Sequence, residues 1–334
     1  MKPLPRLCLV TPALADANNG NWQTARRWAR LLSGHYRVRM AKDWRGQSPE
    51  ELADDGLLAL HARRSARAVA AWAERRPGQP LVLALTGTDL YRDIASDPSA
   101  RRSLQLADRL IVLQDQGPQA LPPDLRDRCC VVLQSSTRRQ MLDKTDGHLR
   151  ALMVGHLREE KSPQTLFEAA RLLNADEGVW LDHIGLALEP ALGHAAHQTM
   201  ADCPHYRWLG GLPHEATRRR IQRAHLLVHP SRMEGGAHVI MEAALSGTPV
   251  LASRVPGNVG MLGADYAGYF EPGDAAGLVA LLRRCRKDMS RPGGLLSRLQ
   301  SQCVSRAALF EPAAEQAALL QALSGLPWPS EAAR

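Results

Sequence analysis

The stretch Leu226–Ser253, LLVHPSRMEGGAHVIMEAALSGTPVLAS, decides the fold. Leu226–Val228 is a short apolar run of the kind that forms a buried strand, and His229-Pro230-Ser231 breaks it. Glu234 follows in the loop, with Gly235 and Gly236 behind it, where the absence of side chains lets backbone amides approach a ligand closely. Ala237 and His238 lead into a helix expected to begin near His238, and Glu242 stands one turn inside it. Gly247-Thr248-Pro249 ends the helix, and Val250–Ala252 begins the next strand. Strand, loop, helix, turn and strand in this order make a βαβ unit of a parallel sheet. Two carboxylates at this spacing, taken alone, are more often helix caps or surface charges. Embedded in PS-x-x-EGG and EAALSGTPV, they read as a ligand site at the carboxyl end of a strand.

The pattern repeats outward on both sides. In the first half, Leu7–Val10, Val38–Met40, Leu57–Leu60, Leu81–Leu85, Leu110–Leu113 and Val131–Leu133 read as strands. Between the first two, Trp22, Ala25, Ala29 and Leu32 share one helical face, with Arg26, Arg27 and Arg30 elsewhere. Asp143–Arg150 is polar, carries Gly147, and reads as a linker. Leu152–Val154, Leu181–Ile184, Arg207–Leu209, Leu226–Val228 and Val250–Ala252 form a second set. The expected fold is therefore α/β, with two Rossmann-like domains facing across a cleft, since such sheets bind ligands beyond the carboxyl ends of their strands. The domains are expected at 1–146 and 147–310. A helical tail at 311–334, with Pro312 in its first turn, is expected to cross back to the first domain.

Composition narrows the class of function. The 334 residues are 45% hydrophobic and 23% charged, which suits a globular chain of two domains. No apolar run reaches the roughly 20 residues that span a bilayer, and MKPLPRLCLVTP reads as a first strand rather than a leader. Six cysteines lie without CxxC spacing, with Cys129 and Cys130 adjacent, which suits buried thiols in a reducing cytoplasm. The net charge of +8 points to an anionic partner. Aromatics are only 4%, leaving no stacking platform for nucleic acid. Arg218, Arg219, Arg220 and Arg223 read as a solvated helix face rather than a membrane contact. Small phosphorylated molecules fit the charge best, with no stable membrane insertion expected.

The segment around Glu234 and Glu242 resembles the E-x7-E signature of glycosyltransferases of the two-Rossmann-domain (GT-B) architecture. The likeness is to the large retaining group that includes sucrose synthase and mycothiol-type transferases. It implies a nucleotide-sugar donor in the second domain, Glu234 at the donor sugar and Glu242 on the ribose, with Gly235, Gly236, Ala237 and His238 around them. VGHLREEKSP resembles the family's diphosphate grip. Gly155 and Lys161 match, His156 departs from the family arginine, and Arg158 lies two residues on. Lys161 is expected to stabilise the charge on departing UDP. WLGGLPHE resembles the loop by the nucleobase, which places Gly211 and Leu212 there. No Asp-x-Asp motif stands at a strand end, so neither a divalent metal nor any other cofactor is expected.

In the first half, the loop Asp16–Asn21 joins the first strand to the first helix. There Gly20 and the Asn21 amide, with Asn19 before them, could bind an anion at the helix N-terminus, although an ordinary Asn/Gly turn with a helix cap is the better reading of these residues alone. LHARRSA brings His61, Arg63, Arg64 and Ser65 to a second strand end, and TGTDLYRD brings Thr86, Thr88 and Arg92 to a third. Relatives often carry a histidine where Thr86 stands. Its loss removes an evident general base, which an acceptor already ionised at neutral pH does not need.

NNGNWQTA, LHARRSA, TGTDLY and VPGNVGMLGADYAGYF together resemble a narrower branch, the selenosugar synthases of selenoneine biosynthesis. That resemblance implies UDP-N-acetylglucosamine or UDP-glucose as donor, selenophosphate as acceptor, and a carbon–selenium bond as product. The alternative within enzymes is a GT-B transferase acting on an alcohol, lipid or polysaccharide. A non-catalytic sugar-nucleotide binder is opposed by the retained Glu234, Lys161 and Glu242, and a UDP-sugar epimerase would need no separate acceptor site.

Overall fold

The computed structural model describes residues 4–12 and 20–329. They divide into two compact units, one of residues 1–134 with 312–334, the other of residues 135–311.

The first unit is a six-stranded parallel sheet. Its strands are β1 (Arg6–Val10), β2 (Arg37–Ala41), β3 (Gly56–Leu60), β4 (Leu81–Ala84), β5 (Arg109–Val112) and β6 (Cys129–Val131). They run in the order β2-β1-β3-β4-β5-β6. Continuous apolar strands suit this arrangement because helices cover both faces. Cys8, Val10, Leu57, Ala59 and Leu83 point to one face, under Trp44 and Trp72. Leu7, Leu9, Leu58, Leu60 and Val82 point to the other, under Trp28, Leu319, Ala322 and Leu323. The last three belong to the helix Pro312–Leu323, so the tail does return to the first sheet.

One reading of a helical face needs correction. In Gly20–Leu32 the buried residues are Thr24, Ala25, Arg27, Trp28, Leu31 and Leu32, so the buried face is rotated from Trp22 and Ala29. Arg27 was expected elsewhere, yet its Nε donates to Glu315 at 2.8 Å while the Trp28 indole donates to the same carboxylate at 2.7 Å. The partner is 288 residues away in sequence, and no local pattern carries it. The sixth strand is also displaced: Cys129 and Cys130, read as preceding it, pair with Leu110 and Ile111.

The second unit repeats the plan with β7 (Leu149–Val154), β8 (Val179–Ile184), β9 (Tyr206–Trp208), β10 (Leu226–His229), β11 (Val250–Ser253) and β12 (Tyr269–Phe270). Its order is β12-β11-β10-β7-β8-β9, all parallel. The two-residue β12 has no counterpart in the sequence reading. The polar stretch read as a linker is not free chain. Leu149 and Arg150 already belong to β7, the Lys144 ammonium donates to Ala224 O at 2.6 Å, and the amide of Leu142 donates to Gln222 O at 3.2 Å. Its polarity serves hydrogen bonds along the second unit rather than solvation. Among the described residues, no helix is long and apolar enough to cross a membrane.

Candidate functional site

In the second unit chain order reverses between the neighbours β7 and β10, and in open α/β sheets the carboxyl ends beside such a reversal bind ligands. Lys161 and Glu234 lie on the two loops that leave those ends. After β7 the chain passes Gly155 and His156 to a 3-10 turn ending at Lys161. Ser162 then takes a left-handed φ of 47°, and the helix Pro163–Leu172 begins. The Lys161 ammonium donates to Glu234 Oε1 at 2.5 Å, and His229, the last residue of β10, brings its Nε2 to the same oxygen at 3.0 Å. A carboxylate only accepts, so that His229 nitrogen carries the proton. Oε2 of Glu234 has no partner among the described residues. Burial alone would raise the Glu234 pKa, but Lys161 and His229 hold it far below the usual carboxylate range. The group is a fixed anion.

The loop that holds Glu234 is wedged against the helix Pro256–Leu262. A Cβ on Gly257 would stand 2.7 Å from both the carbonyl carbon and the Cβ of Glu234. Glycine is required there for space.

Glu242 is 5% exposed on the helix His238–Ala244. Its Oε1 meets His214 Nε2 at 2.7 Å and Arg218 Nη1 at 3.5 Å. Burial raises its pKa, and His214, His238 and Arg218 outweigh this and lower it. The hydrogen bond to Glu242 raises His214 in turn. Arg218 corrects the reading of its run as one solvated face: it is 1% exposed and also donates to Ser136 Oγ at 2.6 Å and to Thr137 O at 2.8 Å. Ala237 precedes the helix without a side-chain cap, and Gly235 is buried beside it.

Glycines pack the ends of β7, β8 and β9 tightly. A Cβ on Gly185 would run into the backbone of Gly155 and His156, and one on Gly211 would stand 2.6 Å from Leu186 Cδ2. The buried His183 ring joins Gly155 O at 3.1 Å and the Tyr206 hydroxyl at 3.1 Å, and burial lowers its pKa to about 4. His156 accepts the Leu186 N–H on Nδ1 at 3.1 Å, which leaves Nε2 to carry the proton. Burial, Arg158 and Lys161 all lower its pKa, so the ring is neutral. Arg158 lies beside it, its Nε 4.0 Å from Glu160. Leu212 is half-buried after Gly211.

In the first unit the order reverses between β1 and β3. Asn19 lies outside the described residues; Gly20 and Asn21 open the first helix. His61 follows β3 with a φ of 74°. Its ring is 1% exposed and lies 3.3 Å from Thr88 Oγ1, 3.8 Å from Asp89 and 3.9 Å from Asp93. Burial lowers its pKa against the pull of Asp89 and Asp93. Asp89 ties two strand ends together, accepting the Ala62 amide at 2.9 Å and the Thr86 amide at 2.8 Å. Ser65 is buried and its hydroxyl donates to Leu60 O at 2.6 Å, so it closes the turn. Arg92 pairs with Asp93 at 3.3 Å within a π-helical turn, Asp89–Asp93. Arg64 is exposed and its guanidinium makes no ion pair among the described residues.

Both units thus present polar groups at the carboxyl ends of a doubly wound parallel sheet. Residues 134–293 match the family model for glycosyl transferases group 1. Within the curated proteins, the amylovoran biosynthesis glycosyltransferase AmsK of Erwinia amylovora is 33% identical over 146 residues. That likeness covers 41% of this chain and only 35% of AmsK. Anabaena HepE, solved with UDP-glucose, superposes with a TM-score of 0.73 at 17% identity over 96% of this chain and 100% of HepE. The sucrose-phosphate synthase of Thermosynechococcus elongatus gives 0.72 at 16% identity, over 95% and 98%. These last two are likenesses of fold, and the fold is GT-B. The family-model match lies on the unit that carries Lys161, Glu234 and Glu242.

Sequence reasoning missed His229, His214, Arg218 and Gly257. His229 stands in H-P-S beside Glu234, and His214 and Arg218 have the spacing of neighbours on one helix face. His229 is only five residues from its carboxylate, whereas nothing local ties His214 and Arg218 to Glu242. Among the described residues, no group of three or more His, Cys, Asp or Glu is arranged to hold a metal ion.

Proposed function

We propose that this protein is a glycosyltransferase that moves N-acetylglucosamine or glucose from UDP to selenophosphate, making a selenosugar. The observation that carries the transfer reading is Glu234 Oε1 shared by Lys161 and His229, with Oε2 unclaimed, at the reversal between β7 and β10. The donor sits with its diphosphate by Lys161 and its ribose by Glu242. As the bond from the sugar's anomeric carbon to the β-phosphate oxygen breaks, its electron pair goes to UDP, where the Lys161 ammonium stabilises it. Glu234, fixed as an anion, stabilises the positive charge that develops on the sugar. Selenium attacks the anomeric carbon.

The acceptor reading rests on the first unit. His61, the one histidine at its strand ends, is buried and locked among Thr88, Asp89 and Asp93. A buried, neutral ring is poorly placed to deprotonate an alcohol, whereas selenophosphate arrives with its nucleophile ionised. Arg64 after β3 supplies a counter-charge, and Arg92, paired with Asp93, lies in the turn after β4. The test is incubation with UDP-N-acetylglucosamine and fresh selenophosphate, followed by mass spectrometry for a selenium isotope pattern on the sugar. UDP release without a selenium-bearing sugar would overturn the acceptor. No UDP release with any sugar nucleotide and any acceptor would overturn the transferase. The likeness to a glycosyltransferase of amylovoran biosynthesis favours a second reading, an alcohol acceptor, and that experiment separates the two.

A further inference from the structure

The second unit holds a polar cavity built from elements other than those that carry Lys161, Glu234 and Glu242. It has a volume of about 280 Å³ and lies among the helix Ala275–Lys287, the loop after it and the start of the helix Leu295–Ala307. Arg284, Arg291 and Arg298 line it, one from each of these segments, together with Asp288 and Gly294.

The charges in this cavity are not balanced internally. Asp288 is 8% exposed, and its Oδ2 is committed to the Leu295 amide at 2.9 Å, where it caps the second helix. Gly294 makes that cap fit, since a Cβ there would stand 2.7 Å from Asp288 Cβ. No hydrogen bond or ion pair engages the three guanidiniums among the described residues. Their neighbours on the same helix behave differently. Arg283 pairs with Glu177 at 2.6 Å, and Arg286 donates to Gly147 O at 3.0 Å. The cavity thus gathers three positive charges against one carboxylate that is already in use, and the positive end of a 13-residue helix adds to the same field. Like charges gathered around one cavity repel each other, and an anion between them relieves that repulsion.

We propose that this cavity binds a phosphate group of a small ligand, separately from the site at the ends of β7 and β10. Guanidinium forks match phosphate oxygens two at a time, and three of them around one space favour a multiply charged phosphate over a monoanion. The volume is at the low end for small-molecule sites, so it suits a phosphate ester or pyrophosphate group rather than a whole nucleotide sugar.

The experiment is calorimetry on the full chain with inorganic pyrophosphate as the probe, at low ionic strength and with saturating UDP present. A parallel arm measures binding to vesicles containing phosphatidic acid. Pyrophosphate is expected to bind with UDP present. Charge reversal in Arg291→Glu should weaken it at least tenfold, Arg291→Lys less, and Lys161→Ala should leave it unchanged. Arg291 is exposed on a loop, so equal melting temperatures will certify the folded variants. Arginine-dependent binding of pyrophosphate assigns a free ligand, and arginine-dependent binding of vesicles alone assigns a lipid headgroup with the same phosphate chemistry. Binding of neither probe overturns the proposal, as does binding that survives Arg284→Glu, Arg291→Glu and Arg298→Glu together, or that Lys161→Ala abolishes. The readout is arginine dependence rather than turnover, so it stands even if the donor reading fails.

Discussion

Gly257→Ala is the sharpest test of how the second unit positions its carboxylate. The added methyl would lie 2.7 Å from the carbonyl carbon and the Cβ of Glu234, and nearer still to the carbonyl oxygen. Carbon–carbon contact needs about 3.5 Å, so the Glu234 loop and the helix Pro256–Leu262 must part by close to 1 Å. Neither side yields cheaply: Gly257 and Asn258 are buried, and the Asn258 amide is bonded to Ser253 O at 2.9 Å and to Ser253 Oγ at 3.1 Å. Glu234 would have to move off Lys161 and His229. Misplacing a reacting group by about 1 Å costs on the order of a hundredfold in rate. We therefore expect kcat for UDP release from a UDP-sugar to fall about a hundredfold. UDP itself lacks the sugar that the proposed function sets against Glu234, so its affinity by calorimetry should change less than about threefold, well under the tenfold that 1.4 kcal/mol represents. Near-normal turnover in a folded Gly257→Ala protein would refute the reasoning, as would a loss confined to UDP affinity.

Four further outcomes are expected. Glu242→Ala should weaken UDP binding by about 1.5–3 kcal/mol, the worth of hydrogen bonds to a charged group, and unchanged calorimetry would move the ribose elsewhere. Arg64→Ala should raise the acceptor's KM far more than the donor's, because only the acceptor loses a counter-charge; equal rises would speak against that placement. His183 has a folded pKa lowered by burial to about 4, below its unfolded value of 6.5. Its contribution to stability is full above pH 6.5 and is lost as the pH falls toward 4, up to about 3 kcal/mol. The urea-unfolding free energy of His183→Gln should therefore vary less over that window than that of the wild type, and an unchanged slope would show that His183 does not carry the effect. Glu315→Gln breaks the buried pair with Arg27 and should destabilise the chain by about 3–5 kcal/mol in denaturant unfolding, with less than 1 kcal/mol contradicting the pairing.

Much of the site was legible because its signals are local. A strand, a glycine-bearing loop and a helix occupy consecutive residues, so Glu234, Glu242, Gly155 and Lys161 could be read one segment at a time. Eleven of the twelve strands among the described residues were also legible as short apolar runs, because parallel strands covered on both faces keep no polar alternation. The exception, Tyr269–Phe270, is too short to make a pattern. The polar stretch before Leu149 misled for a related reason: composition reports that a segment is hydrophilic but not whether water or the protein satisfies its hydrogen bonds.

The sequence by itself determined the α/β class, the two-sheet plan and the chemical types at the strand ends, all of which follow from periodicity and spacing within a few residues. Only the tertiary structure decided which groups meet. It set His229 and Lys161 on one oxygen of Glu234, His214 and Arg218 on Glu242, Gly257 behind the Glu234 loop, and Glu315 under Arg27. Electrostatics and close packing act through space. His229 lies five residues from Glu234, but Lys161, His214, Arg218, Gly257 and Glu315 come from strands and helices distant in the chain from the groups they meet, and no short window of sequence contains them.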